Sequence, residues 1–444
     1  MVPRRTWLKG LSLLMVMVSG GTVLSFVLLF EASNITWMYT YGGAGSDYVH
    51  HIIARNNGEF VLEGNINGSQ LLGLDAAGAV RWNDSTIDSI FDLNVVSTSD
   101  GGLLLLGTRG LRFDELYVCR LDAQRVVMWE QTFDHPHADL IPYQIYTPAA
   151  MQTTDGDFLV ASLVADSHVV ARERTWVLRL NSNGFPLWNV SYYSHAIFLP
   201  NLLQLSDKNI VLAGPEFWGE DAILLSLDLN GTLLWNQTYG GSGPDCIYSA
   251  LQTKDGGFAL AGYTKSFGAG ERDAWLLRTD SQGHLLWYRT YGGAASDETR
   301  SIVQTEDEGF ALAGTTESFG AGESDAWLLR TDAKGDILWE QTYGGASSDM
   351  ANALLQTADE GFVLAGRTES FGDERGDAWV FKTDKFGHIS QLPSFLASLM
   401  VIGWVLSIGG ALGFGILTAD HFLRSRKAKE PSPTNSEDSL SRVP

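Results

Sequence analysis

The sequence predicts an all-β fold, a seven-bladed β-propeller of four-stranded blades, flanked by N- and C-terminal transmembrane helices. Three observations predict it. Tryptophans recur at Trp37, Trp82, Trp129, Trp188, Trp235, Trp287 and Trp339, at intervals of 45, 47, 59, 47, 52 and 52 residues. Each interval divides into four short stretches of alternating or continuous apolar residues separated by turn chemistry, as in Ile247–Thr253, Phe258–Thr264, Ala274–Thr279 and Leu285–Tyr291. A long uncharged run stands near each end of the chain.

In chain order, residues 1–9 carry Arg4, Arg5 and Lys9 and are expected to stay in the cytoplasm. Residues 10–30 hold no charge and read as a signal anchor or a signal peptide. Ser19, Gly20 and Gly21 leave cleavage open, while the apolar continuation to Phe30 leaves an uncleaved anchor equally open. Residues 31–394 form the extracytoplasmic propeller. Residues 395–418 are an uncharged run, long enough to span a bilayer as a transmembrane helix. Arg424, Arg426, Lys427 and Lys429 follow it and hold the tail, 419–444, inside as a partly disordered cytoplasmic segment. Gly409 and Gly413 have the spacing that lets such helices approach, a pattern that a glycine-rich span also produces by chance.

Of 444 residues, 52 are acidic and 30 basic, a net charge of −22 that repels phosphate backbones and excludes nucleic acid as a partner. The net negative charge is on the outer domain, where residues 31–395 carry 48 acidic and 22 basic side chains. N-glycosylation acceptor triplets begin at Asn34, Asn67, Asn83, Asn189, Asn230 and Asn236, and none lies in the tail, in agreement with that topology.

A four-stranded unit cannot cover both faces of its own sheet, so units must stack, radially or as a linear solenoid. The end of the chain favours the ring. The position four residues beyond Gly387, where earlier units have tryptophan, is Gln391, so the last unit lacks its outer strand; the chain opens with that strand, Trp37–Gly43. The opening strand is expected to complete the last blade. The turn Asp280–Gly283 recurs at Asp332–Gly335, Asp384–Gly387, Asp228–Gly231 and Asp75–Gly78, with an aspartate that forms the turn and a glycine that tolerates positive φ.

The order WxxTYGG, DGGFxLAG, SFGAG, DAWLLRTDxxG is carried most closely by residues 235–391. It resembles the roughly 50-residue β-propeller repeats of archaeal and bacterial cell-surface proteins, similar in style to kelch-like and quinoprotein-like propellers. The resemblance covers about residues 37–391 and weakens before residue 235, where Trp82 and Trp129 keep the tryptophan and lose the Tyr-Gly-Gly. It implies a fold and a surface setting, and no particular chemistry.

Searches for chemistry return little. Cys119 and Cys246 fall three units apart, too far to bridge, and read as buried small apolar groups. Thr279–Gly283 approaches a sialidase-type aspartate box with spacings one residue too long. Asp207–Val211 resembles the centre of a bulb-type lectin motif, but Gln204 is one place off and Ala213 occupies the tyrosine position. Asp245, Asp297 and Asp349, and likewise Asp273, Asp325 and Asp377, recur at equivalent places. No cofactor is predicted; calcium is the one these acids leave open, against the simpler reading that they cap turns.

Function is expected where the repeat breaks. The longest interval inserts Asp134–Pro142 in place of a Gly-Gly loop, and the next unit places Tyr192–His195 in the corresponding loop. His135, His137, Asp139, Tyr193 and His195 are therefore the candidate ligand-binding residues. The expected function is a non-catalytic binding or scaffold module, anchored to membrane lipid and presenting loop faces to a surface protein, glycan or polymer. The alternative is an exported polysaccharide hydrolase or lyase whose acids converge from several blades.

Overall fold

The computed structural model describes Ser12–Leu14, Val27–Leu29 and residues 36–389, except 44, 56, 85–89, 110–113, 136–142, 167–172, 193–196, 198–200, 217–220 and 373–374. Ser12–Leu14 (β1) and Val27–Leu29 (β2) pair antiparallel. These six residues are extended where an N-terminal helix is predicted, since an apolar run does not by itself distinguish the two conformations. The predicted span 395–418 and the tail 419–444 lie outside the described residues, among which no helix is long and apolar enough to cross a membrane.

Seven four-stranded antiparallel sheets follow. Blade 1 is β4 (Tyr48–Ala54), β5 (Phe60–Ile66), β6 (Ser69–Leu74) and β7 (Val80–Asp84). Blade 2 is β8 (Phe91–Ser97), β9 (Leu103–Arg109), β10 (Glu115–Leu121) and β11 (Val127–Asp134). Blade 3 is β12 (Tyr143–Gln152), β13 (Phe158–Asp166), β14 (Arg174–Leu180) and β15 (Pro186–Tyr192). Blade 4 is β16 (Asn201–Gln204), β17 (Ile210–Pro215), β18 (Ala222–Leu227) and β19 (Leu233–Tyr239). Blade 5 is β20 (Asp245–Gln252), β21 (Phe258–Thr264), β22 (Asp273–Thr279) and β23 (Leu285–Tyr291). Blade 6 is β24 (Asp297–Gln304), β25 (Phe310–Thr316), β26 (Asp325–Thr331) and β27 (Ile337–Tyr343). Blade 7 is β28 (Asp349–Gln356), β29 (Phe362–Thr368) and β30 (Asp377–Thr383), completed by β3 (Trp37–Tyr41) from the start of the chain. β3 pairs with β30 from Trp37↔Lys382 to Tyr41↔Ala378.

Contacts between inner strands run from β4 through β8, β12, β16, β20, β24 and β28 and back to β4, so the ring is closed. One apolar core lies at each junction between blades. A repeated latch builds these junctions. The outer-strand tryptophan packs on the first phenylalanine of the next blade's second strand, with ring centroids 5.9 Å apart for Trp129–Phe158, 6.4 Å for Trp287–Phe310 and 6.4 Å for Trp37–Phe60. Four residues on, the tyrosine hydroxyl donates to the carbonyl of the next blade's turn glycine: Tyr291 to Gly335 at 2.7 Å, Tyr343 to Gly387 at 2.6 Å, and Tyr41 to Gly78 at 2.6 Å. That glycine is required twice over. Gly335 has φ +80°, and a Cβ there would sit 2.8 Å from the Trp287 ring. In blade 2 the position is Arg125, at φ 67°, and its guanidinium lies 4.3 Å from the Trp82 ring centroid instead.

A second device ties the two turns at one end of five blades. The third-strand cation reaches the acid of the first turn: Arg179 to Asp157 at 2.9 Å, Arg330 to Asp307 at 2.5 Å, Lys382 to Asp359 at 2.5 Å, with Arg120 to Asp100 and Arg278 to Asp255 alike. The cations are buried, and Arg330 also donates to the Phe310 carbonyl at 3.3 Å. At Asp255 the Thr253 hydroxyl first, and then Arg278, hold the carboxyl below its usual range; at Asp307 burial opposes the shift and Thr305 and Arg330 outweigh it.

Two outcomes follow. Deleting residues 31–43 removes β3 and one latch, leaving β30 as an unpaired edge, and should lower the melting temperature sharply; an unchanged value would contradict closure through β3. The clamp carboxyls are depressed in the folded state, so their contribution is complete above the ordinary carboxylate range and disappears as pH falls through the folded values. Arg330→Gln should cost about 1–3 kcal/mol at neutral pH and make denaturant midpoints less sensitive to acidification than in the wild type.

Candidate functional site

The inner strands carry a systematic irregularity. Register slips between Val49 and His51, Phe91 and Asn94, Tyr146 and Ala149, Ile247 and Ser249, Thr299 and Ser301, and Ala351 and Ala353. Such bulges re-aim a side chain. Those skipped include His50, Asp92, Pro148, Tyr248, Arg300 and Asn352, and all six line a central cavity of 330 Å³, joined by Asn201 at the start of β16. Every blade thus contributes to one site.

The second-strand glycine makes room for the bulge. A Cβ on Gly314 would lie 1.9 Å from the Glu298 carbonyl oxygen, one on Gly262 would lie 1.8 Å from that of Cys246, and one on Gly366 would lie 2.0 Å from that of Met350. The glycine that ends each Phe-x-Leu-Ala-Gly stretch in blades 5 to 7 is therefore a bulge residue, as glycine inside a strand often is. Asp92, at φ 50°, shows that the backbone is held under strain in blade 2 as well.

On one side of the cavity, His51 Nδ1 lies 2.8 Å from Glu63 Oε2. Burial lowers the pKa of His51, and the bond to Glu63 outweighs it, so the net shift is upward; half of the side chain still faces the water of the channel. His50 is shifted down, chiefly by burial, with Glu63 and Asp92 opposing, which favours its neutral form. On the other side, Arg300 donates to Glu298 Oε1 from Nε at 2.8 Å and Nη2 at 2.5 Å, and its guanidinium stands 5.1 Å from the Tyr248 ring. Tyr248 meets Tyr263 at 5.8 Å, and Arg272 covers Tyr263 at 4.6 Å while also reaching Glu298 at 3.5 Å. This network orients Tyr248 and Arg300. Burial pushes the Cys246 thiol up to about 12, so the neighbouring sulfur is not a thiolate nucleophile at neutral pH. Asn352 Nδ2 donates to the Val49 carbonyl at 2.7 Å, while its buried Oδ1 has no partner.

Of the residues singled out from the sequence, His135 is buried. Its Nε2 lies 2.9 Å from Ser191 Oγ, and its ring meets Trp176 edge-on at 5.3 Å. His137, Asp139, Tyr193 and His195 lie outside the described residues. The recurring acids are held in the loops. Asp297 Oδ2 accepts from Gly293 N at 2.8 Å and Ser318 Oγ at 2.6 Å, and Asp325 Oδ2 accepts from Ala321 N at 2.8 Å and Gly322 N at 3.1 Å. Among the described residues no group of three or more His, Cys, Asp or Glu is placed to hold a metal ion. Cys119 and Cys246 are both buried and free. Asn67, Asn83, Asn189, Asn230 and Asn236 are exposed, whereas Asn34 lies outside the described residues.

No family model matches the chain. The regulatory protein FlaEY of Caulobacter vibrioides is 32% identical to it over 146 residues, which is 28% of this chain and 15% of that protein. The WD40 domain of Neurospora crassa Pan2 superposes with a TM-score of 0.48 at 10% identity, covering 79% of this chain and 100% of that one. An ulvan lyase of polysaccharide lyase family PL25 gives a TM-score of 0.47 at 11% identity, covering 81% of this chain and 97% of that one.

The bulge geometry makes a specific claim about Gly314. Gly314→Ala should expel the Glu298 carbonyl from its seat and destabilise the protein by about 2–4 kcal/mol in chemical denaturation. Gly45→Ala, where a Cβ would meet nothing within 4 Å, is the neutral control, and equal effects would remove the glycine–bulge coupling.

Proposed function

We propose that the chain is a membrane-anchored, extracytoplasmic propeller acting as a non-catalytic binding module, with its ligand site at the central cavity. One observation carries this reading: six inner-strand bulges and Asn201 bring residues from all seven blades to one cavity, and of these residues all but Pro148 have polar side chains. The lining offers amides, imidazoles, a phenol, the Arg300 guanidinium and the carboxylates of Glu63 and Asp92, a set suited to hydrogen-bonding a hydroxylated ligand such as a glycan.

The inserted segment 136–142 leads into β12, and residues 193–200 lead into β16, and both strands line the cavity. His137, Asp139, Tyr193 and His195 are accordingly proposed as the outer margin of the same site, with His135 as a positioning residue. Calcium remains a proposal for that margin alone. The outward address rests on the basic flanks and the acidic outer domain, and the exposed acceptor asparagines fit it; chemical or enzymatic deglycosylation should increase gel mobility.

A second reading, eliminative or hydrolytic action on a polysaccharide, is favoured by His50 lining the same cavity as Tyr248, Arg300 and the carboxylates of Glu63 and Asp92. One experiment addresses both. Wild type, Arg300→Gln, Asn352→Ala and His50→Ala are tested on glycan and surface-protein arrays and on uronate polymers. Binding weakened about tenfold or more in Arg300→Gln, with unchanged melting, is the expected result. Unaltered binding in all variants would eliminate the cavity site, and release of unsaturated or reducing ends would select the second reading.

A further inference from the structure

The exposed large apolar side chains are concentrated at one place. Among the described residues, apart from Phe91, Tyr288 and Phe319, they stand in or just after the turn between the third and fourth strands, in every blade. Val127, Phe185, Leu234, Leu286, Leu338 and Phe386 represent six of the blades, and Leu286 and Leu338 are 58% and 56% exposed. Alternation does not explain them. In blades 5 and 6 two consecutive residues before the packed tryptophan, Leu285–Leu286 and Ile337–Leu338, both face water, although one face of a strand would account for only one. A fold with no use for this rim would be more soluble with polar residues there.

The described part of the propeller, residues 36–389, both begins and ends at this same rim. Trp37 opens the outer strand of blade 7 opposite Lys382, and the chain leaves blade 7 after the turn Asp384–Gly387. Residues 31–36 separate Trp37 from the apolar run ending at Phe30, and residues 390–394 separate Ile389 from the run beginning at Phe395. Fully extended, five or six residues reach only about 20 Å. If either run enters a bilayer, the rim stands within that distance of it.

We propose that the apolar rim rests on a zwitterionic lipid bilayer, an inference that builds on the anchored reading above. The occupant follows from the tether and from charge. The rim's apolar residues alternate with turn acids such as Asp280 and Asp332, so anionic headgroups would be repelled. A second copy anchored in the same membrane presents this end in the same direction and cannot face it.

The test uses the full chain in phosphatidylcholine nanodiscs containing spin-labelled lipid. Leu286→Cys and Leu338→Cys, on the rim, and Ala294→Cys, exposed at the opposite end, each carry a fluorophore; the native thiols are buried. Quenching several-fold stronger at Leu286→Cys and Leu338→Cys than at Ala294→Cys is expected. Incorporation into the discs with equal or absent quenching at the rim would overturn the rim contact and leave the anchor intact. Failure to incorporate would overturn both. Cross-linking between rim cysteines of two copies, independent of lipid label, would identify a second copy as the occupant and overturn the lipid assignment.

Discussion

The seating of one blade's outer tryptophan in the next blade's turn is the contact on which the rest of the structure depends. A four-stranded sheet this short has two apolar faces and no helix to cover either. Each blade is stable only because its neighbour's second and third strands, nearly all fully buried, supply the missing layer. The latch sets the spacing and angle of that stacking. The indole fills the space over a glycine, and the tyrosine hydroxyl, four residues later, fixes the same turn from its carbonyl. Because blade 7 borrows β3, the latch between Trp37, Tyr41 and the turn ending at Gly78 repeats the others, so closure needs no special junction.

A frame fixed in this way leaves little room for functional variation in its middle and outer strands. The inner strands are different. Some of their side chains pack in the cores between blades, while the bulge lifts one residue out of the ladder toward the channel, so that residue can change without disturbing either apolar face. The supporting glycine is the same in blades 5 to 7 while Tyr248, Arg300 and Asn352 differ. Placing a site on bulges within a rigid sheet also gives it better-defined geometry than loops would. The links among Tyr263, Tyr248, Arg300, Glu298 and Arg272 show that the side chains are braced in turn.

What was legible in the sequence follows the same division. The strands expected over Ile247–Thr253, Phe258–Thr264, Ala274–Thr279 and Leu285–Tyr291 appear within two residues of those bounds, because turn aspartates and glycines fix their ends. The borrowed strand was readable from the absence of a tryptophan at Gln391. The central cavity is not legible from the breaks in the repeat, which point to the interrupted loops, where His135 packs on Trp176. A partial signal is present: five of the six blades with a bulged inner strand have a glycine inside the second strand, which marks the inner-strand position opposite it. That the six or seven such positions meet at one axis, however, is fixed by closure of the ring, which no single repeat contains.

The acidity of the outer domain has the same structural origin. Asp228, Asp280, Asp332 and Asp384 each accept two backbone N–H groups in the turn after the third strand, and Asp245, Asp297 and Asp349 organise the loop at the opposite end. Repeating a blade therefore repeats its acids. Many of the cations are drawn inward at the same time, since Arg120, Arg278 and Arg330 are buried beneath turn acids that remain largely exposed. The negative surface is thus a by-product of how the turns are built, and it carries no information about the ligand. Information about the ligand lies at the bulges, where Arg300 is a cation that the repeat does not require.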